Sequence, residues 1–271
     1  MTTKTSRWHR RRTFLAMAAI PAVLVLTSCS SGGGPSATTT AAAPGGASTT
    51  TAPGSSAPAS SGPGATTTSP AADFPYQPLW PFRDSAEAAA WQRDAGSGHQ
   101  PWHLDPAATA QSFTQHYLGF SSLDKIVKVA TDGDQSRVSV GFDNPNGVPV
   151  VAAVVHLARM GHGDTAPWEV VGTDDTTFRL TTPRYGGAVS SPVAVGGTIS
   201  GVDESIRVRI LRSDRDQPVG RSAPIPAGGT ESPWSATVSV SDACPATLTI
   251  VAATGGHVAD VERFTITGVR C

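Results

Sequence analysis

The side chains from which a nucleophile or a metal site would have to be built are few: Cys29, Cys244, Cys271, and the histidines at 99, 103, 116, 156, 162 and 257 beyond the basic N-terminus. His99 and His103 have the interval by which one helix face offers two imidazoles to a metal. Pro101 stands between them and denies that stretch a regular helix, so no metal is expected there. Glu169 with Asp174 and Asp175 supplies the residue types of a carboxylate pair for acid and base work, but a solvated turn explains the same three residues. Asp132, Gly133 and Asp134 lack the later glycine and distal glutamate that a calcium loop requires, and they read as a hairpin turn. Neither a G-x-S-x-G elbow nor a phosphate-cradling or dinucleotide-binding glycine pattern occurs. The expected site inventory is therefore no catalytic set, no cofactor and no metal.

The elements that would position these residues begin at 73. Phe74, Tyr76, Trp80 and Phe82 alternate with Pro75, Pro78 and Pro81, which predicts an extended strap docked on its own domain by large apolar rings and a stiffened backbone. Asp84 with Glu87 gives a capping-box-like start to a short helix over Ala86 to Ala95. Asp105-Pro106 is an N-cap followed by proline at the first helical position, and predicts a helix to about Leu118 with Phe113, Tyr117 and Phe120 on its core side and Gly119 as its C-terminal cap. After that the period changes to two. Ile126 to Ala130 and Arg137 to Phe142 form a predicted hairpin, followed by strands at Val148 to Leu157, Trp168 to Val171 and Phe178 to Thr181. Helices followed by strands make 73–183 an α+β domain.

Residues 184–271 are expected to be all-β. Ile206, Val208 and Ile210 alternate with arginines, and Trp234 to Val240, Leu248 to Ala252 and Phe264 to Ile266 alternate with serines and threonines. Glycine pairs at 196-197, 228-229 and 255-256 read as turns between the runs. Six or seven short strands, each with one buried and one wet face, predict a two-sheet sandwich. Arg207, Arg209, Arg212 and Arg215 would then form an exposed basic stripe, beside Asp203, Glu204, Asp214 and Asp216, on a mixed-charge edge that resists pairing.

The N-terminus addresses the chain. Lys4, Arg7, Arg10, Arg11 and Arg12, with no acidic residue, precede the apolar run Phe14 to Leu26. As a helix that run rises about 20 Å, short of the roughly 30 Å hydrocarbon core, so it reads as a removable signal over 1–28. Arg11-Arg12-Thr13-Phe14-Leu15 also resembles the core of a twin-arginine export signal, and both export routes stay open. Leu26-Thr27-Ser28-Cys29 resembles the bacterial lipobox. That resemblance implies a diacylglyceryl thioether on Cys29, palmitate-type acyl chains, and Cys29 as the first residue of the mature chain, anchored at the extracytoplasmic face of the cell membrane.

Positions 30–72 hold only Ser, Gly, Pro, Ala and Thr, so the segment 29–72 is expected to be a disordered linker that cannot bury enough apolar surface to offset its ordering entropy. Its root-mean-square reach is about 35 to 40 Å as a flexible coil. Removing the five basic residues of the signal takes the formal charge from −1 to −6, which excludes an electrostatic footprint for nucleic acid. With Cys29 lipidated, the even remainder of Cys244 and Cys271 in an exported chain reads as one disulfide.

Ser191 to Gly201, together with the closing run Phe264-Thr-Ile-Thr-Gly-Val269, resembles the immunoglobulin-like domain linked to bacterial spore germination. That resemblance spans about 189–270 and implies a binding or structural module with no catalytic residues to carry over. Cys244 and Cys271 depart from it. The sequence thus leads to a membrane-anchored, non-enzymatic envelope lipoprotein with an unidentified envelope protein or polymer as partner. The rival expectations are a hydrolase or transferase of envelope polymers with its site in 73–183, and a carrier of an apolar ligand.

Overall fold

The strap closes the fold as well as opening it. In the computed structural model, which describes residues 74–95, 98, 100–175, 177–201 and 204–271, the stretch Phe74–Phe82 runs extended and Trp80 pairs with Val170. The Leu79 N–H donates to the Val170 carbonyl at 3.1 Å, and the Val170 N–H to the Trp80 carbonyl at 2.7 Å. Farther back, the Gln77 side chain donates to the Thr247 hydroxyl at 2.7 Å, and the Tyr185 hydroxyl bridges both backbone groups of Gln77. The strap therefore binds to elements on both sides of residue 183. The expected signal peptide, Cys29 and linker lie outside the described residues, as do His99 and Asp203.

Helix α1 (Ser85–Asp94) starts where Asp84 accepts from the Glu87 N–H at 2.9 Å. The reciprocal bond goes from the Arg83 N–H to Glu87 at 2.8 Å, one residue before the cap. Pro101–Leu104 makes a single tight turn, and Asp105 then caps α2 (Pro106–Ser112) through the Ala107 N–H at 2.8 Å. The expected helix to Leu118 continues as a wider turn over Phe113–Tyr117, closed by the Leu118 N–H on the Phe113 carbonyl at 2.9 Å. Phe113 is fully buried and Gly119 takes the left-handed conformation expected of it, with φ of 72°.

Among the described residues twelve strands follow: β1 (Lys125–Asp132), β2 (Gln135–Asp143), β3 (Pro149–Arg159), β4 (Trp168–Thr173), β5 (Phe178–Thr182), β6 (Val193–Ile199), β7 (Ser205–Leu211), β8 (Gly220–Arg221), β9 (Ile225–Pro226), β10 (Ser232–Val238), β11 (Thr247–Thr254) and β12 (Arg263–Arg270). They form three antiparallel sheets, ordered β1-β2-β3-β4, β10-β6-β5 and β12-β11-β7-β8, with β9 paired to β7. The protein is thus β-rich with few helices. The strand at 178–182, expected with the first domain, pairs instead with β6 from Phe178↔Ile199 to Thr182↔Gly196. A boundary at 183/184 cuts between two hydrogen-bonded neighbours.

Three of the expected patterns are corrected by packing. The strands β11 and β12 lack a wet face: one side, with Leu248, Ile250 and Val269, packs on β6 and β10, while the other, with Val251, Phe264 and Ile266, joins Phe113, Val138, Leu157 and Trp168 in a second cluster. Thr249, Thr265 and Thr267, which mark the wet side in the sequence, are buried. Gly196 and Gly197 lie inside β6 and make no turn. A Cβ at Gly197 would run into the Arg179 carbonyl oxygen, and one at Gly196 would sit 2.7 Å from the Trp234 carbonyl, so glycine is there for close approach of neighbouring strands. The basic stripe is also broken up. Arg207 and Arg215 are exposed, but Arg209 is half-buried and Arg212 folds back on Asp214 at 2.6 Å.

Candidate functional site

Beside α1, where the strap meets the first sheet, lies a groove of about 450 Å3 walled by Phe74, Tyr76, Gln92, Gln135, Arg159 and His162. Phe74 and Tyr76 meet edge to face at 5.8 Å. Gln92 pins the opposite wall, donating to the His162 carbonyl at 3.0 Å and to the Thr165 hydroxyl at 2.9 Å. Arg159 stacks on Trp168 at 4.6 Å, and its Nη1 donates to the carbonyls of Ala166 and Asp164. Flat aromatic surface with amide and guanidinium donors at its rim suits a ligand that has both apolar faces and polar edges, such as a sugar ring or a peptide.

A polar chain runs from this groove across the sheet. Gln135 donates to the Tyr76 hydroxyl at 2.6 Å and faces His156 Nε2 through its oxygen at 3.0 Å. The register sets Arg137 opposite His156, and Asp174 receives Arg137 Nε at 2.6 Å while lying 4.0 Å from His156 Nδ1. With Gln135 accepting through its oxygen, His156 carries its proton on Nε2. Burial lowers the His156 pKa, with Arg137 acting in the same direction and Asp174 opposing both. A histidine beside a carboxylate is the start of a base catalyst, but here the amide of Gln135 occupies the nitrogen that would face substrate. The arrangement clamps Tyr76, and with it the strap, onto β2 and β3.

The second titratable cluster lies beneath the strap. Glu169, expected in a solvated turn, is fully buried, and it does not pair with Asp174 or Asp175. One carboxylate oxygen accepts from the Phe82 N–H at 3.0 Å, and the other has no partner among the described residues. Burial raises its pKa well above the usual carboxylate range; the amides of Phe82, Trp80 and Leu79 partly offset this, and the charge of Glu87 adds to it. His103 is buried against Trp102 at 3.6 Å, Trp91 at 4.9 Å and Phe82 at 5.0 Å, with Nε2 on the Gln100 side chain at 2.9 Å. Burial lowers its pKa to about 4. The tight turn Pro101–Leu104 places it in this aromatic nest rather than toward a metal. Among the described residues no three His, Cys, Asp or Glu side chains converge as ligands.

These two groups give opposite pH responses. Glu169 is held with a raised pKa, so its favourable contribution is complete below about pH 4.5 and is lost as pH rises through the folded value. His103 is held neutral, so its contribution is complete above about pH 6.5 and is lost as pH falls toward 4. Glu169→Gln removes only the first. In urea denaturation across pH 5 to 8, the variant should gain stability relative to the parent chain as pH rises; a difference that stays constant with pH would contradict a buried, ionisable Glu169.

Cys244 and Cys271 stand at disulfide distance, with Cα atoms 5.2 Å apart. Ala246 and Cys271 exchange both backbone hydrogen bonds, at 3.0 and 3.2 Å, so the terminus is held as an extension of the third sheet. The sequence pointed to the cysteine pair by count alone. It gave no sign of the Tyr76–Gln135–His156 chain, because its successive members lie 59 and 21 positions apart and meet only through the register of β2 and β3 and the docking of the strap on them. Comparison with protein families, curated proteins and solved structures finds no match to this chain.

Proposed function

We propose that the chain is a lipid-anchored protein of the cell envelope, held at the extracytoplasmic face through Cys29, whose folded part presents a non-enzymatic recognition surface to an envelope protein or polymer. The observation that carries this reading is the run Leu26-Thr27-Ser28-Cys29 at the end of an apolar stretch, followed by 43 positions of Ser, Gly, Pro, Ala and Thr. The groove at Tyr76 lies within a few residues of the point where that linker ends, so a ligand seated there meets the protein at the end of its tether. The aromatic and amide walls of the groove favour recognition of a sugar ring or a peptide, and the clamped His156 favours binding over bond cleavage.

The last eight strands support the immunoglobulin-like part of this reading. The order β5-β6-β10 faces β12-β11-β7-β8 across a shared core, which supports reading the first three as strands A, B and E and the other four as G, F, C and an added edge strand. On that assignment the module begins at Phe178, and its disulfide joins the approach to β11 with the end of β12, in place of an inter-sheet bridge.

The test is Cys29→Ala in a host that processes lipoproteins, with fatty-acid labelling and fractionation. The parent chain should take up label and sediment with membranes, whereas the variant should carry no label and lose membrane retention by tenfold or more. Label persisting on Cys29→Ala would refute the assignment.

A further inference from the structure

The half-buried Arg209 has a place in the fold that its own chain does not complete. In the pairing of β7 with β8 it lies directly opposite Arg221, and like charges in that position repel. Its Nη2 donates to the Leu118 carbonyl at 2.8 Å, at the C-terminal end of the turn that follows α2, and its guanidinium carbon lies over the Phe120 ring, 4.8 Å from the centroid. Burial and the charge of Arg221 both lower its pKa. Arg207 stands two residues earlier on the same face of β7, and the three arginines line, with Phe120, a concavity of about 240 Å3. Asp260 is the sole acidic residue among the described walls, and none of the three arginines forms an ion pair with a carboxylate among the described residues.

Three positive charges against one negative leave a surplus of two around the recess, where Arg207 and Arg221 are exposed and Arg209 is half withdrawn from water. A charge withdrawn from water without a counter-charge is costly, and a fork of guanidinium donors fits the oxygens of a bound oxyanion. The Leu118 carbonyl and the Phe120 ring hold that fork in a fixed plane, so the remaining Arg209 donors are oriented before any ligand arrives.

We propose that this concavity binds a phosphoryl group, either inorganic phosphate or the head of a phosphate ester. A dianionic phosphate matches the surplus charge, and the apolar floor of Phe120 and Ala253 accommodates the first carbons of an ester. The site lies on the third sheet and is independent of the groove at Tyr76.

Calorimetric titration of the detergent-solubilised full chain at fixed ionic strength tests this with inorganic phosphate, glycerol phosphate, acetate and chloride as probes. Phosphate should bind saturably with a Kd of about 1 mM or tighter, at least tenfold tighter than acetate. Arg209→Met, which keeps an unbranched apolar side chain beside Phe120 and removes the guanidinium, should weaken phosphate at least tenfold. Arg221→Gln, at an exposed position that leaves the core untouched, should weaken it threefold or more. Tighter binding of glycerol phosphate than of phosphate identifies an ester as the preferred ligand, and the reverse order identifies the free ion. Phosphate binding no tighter than acetate or chloride, or unchanged binding by the Arg221→Gln chain, overturns the proposal.

Discussion

Phe264→Ala should cost about 3 to 5 kcal/mol, a large fraction of the 5 to 15 kcal/mol that a domain ordinarily has, and should do so in a single transition. The Phe264 ring is fully buried on the face of β12 turned toward α2 and the first sheet, 5.3 Å from Phe120. It belongs to a cluster that takes Phe113, Val140, Leu157 and Trp168 from one side of residue 183, and Leu211, Val251 and Ile266 from the other. Truncation leaves a cavity between segments that the chain order separates, and the neighbours on both sides lose contacts. Unfolding in urea, followed once by Trp fluorescence and once by a probe on the third sheet, should give coincident curves for the parent chain and the variant, with the variant midpoint lowered. Two separated transitions, with only the C-terminal one moved by Phe264→Ala, would show that the segments fold independently.

Replacement of Cys271 by Ser, or reduction of the disulfide, should cost about 3 to 4 kcal/mol, on the chain-entropy estimate for a separation of 27 residues. The loop so closed contains the whole of β11 and β12, and β12 is an edge strand of its sheet with Cys271 directly after it. Without the link, the two backbone bonds between Ala246 and Cys271 are left to hold a terminal residue that otherwise frays. Beyond the lowered midpoint, hydrogen exchange should quicken first at residues 268–271. A reduced protein with an unchanged midpoint would mean that the cross-link constrains nothing that packing has not already fixed.

The parts legible in the sequence were those set by local chemistry. Asp105-Pro106 declares a helix start through its cap and its missing N–H, and the structure has both. The alternation around Asp132-Gly133-Asp134 specifies the β1–β2 hairpin, paired from Lys125↔Gly141 to Asp132↔Gln135. The aromatic strap was expected to dock, and it does so by adding Leu79 and Trp80 to the free edge of β4.

What was not legible depends on residues far apart in the chain. A threonine on a strand looks the same in sequence whether its hydroxyl meets water or another side chain; Thr249 meets Tyr117 at 3.4 Å and Thr265 meets Thr173 at 3.1 Å, so both are buried. Gly196-Gly197 has the composition of a turn, and only the approach of the Arg179 and Trp234 carbonyls shows why glycine is needed within a strand. Glu169 carries a charge that by itself predicts contact with water, hence the expected solvated turn. The strap covers this residue, and the strap's Phe82 N–H bonds a carboxylate that the covering has removed from water. Arg209 was expected on an exposed stripe because the alternation of β7 was read against one packed face, although α2 and its turn cover the other.

The proposed envelope role depends on what holds the chain there, and the mass of the N-terminal peptide of mature protein from its native host tests that most directly. A peptide beginning at Cys29 and carrying a diacylglyceryl group is the predicted result. A mature chain that begins at any other residue and has no fatty acid would contradict it.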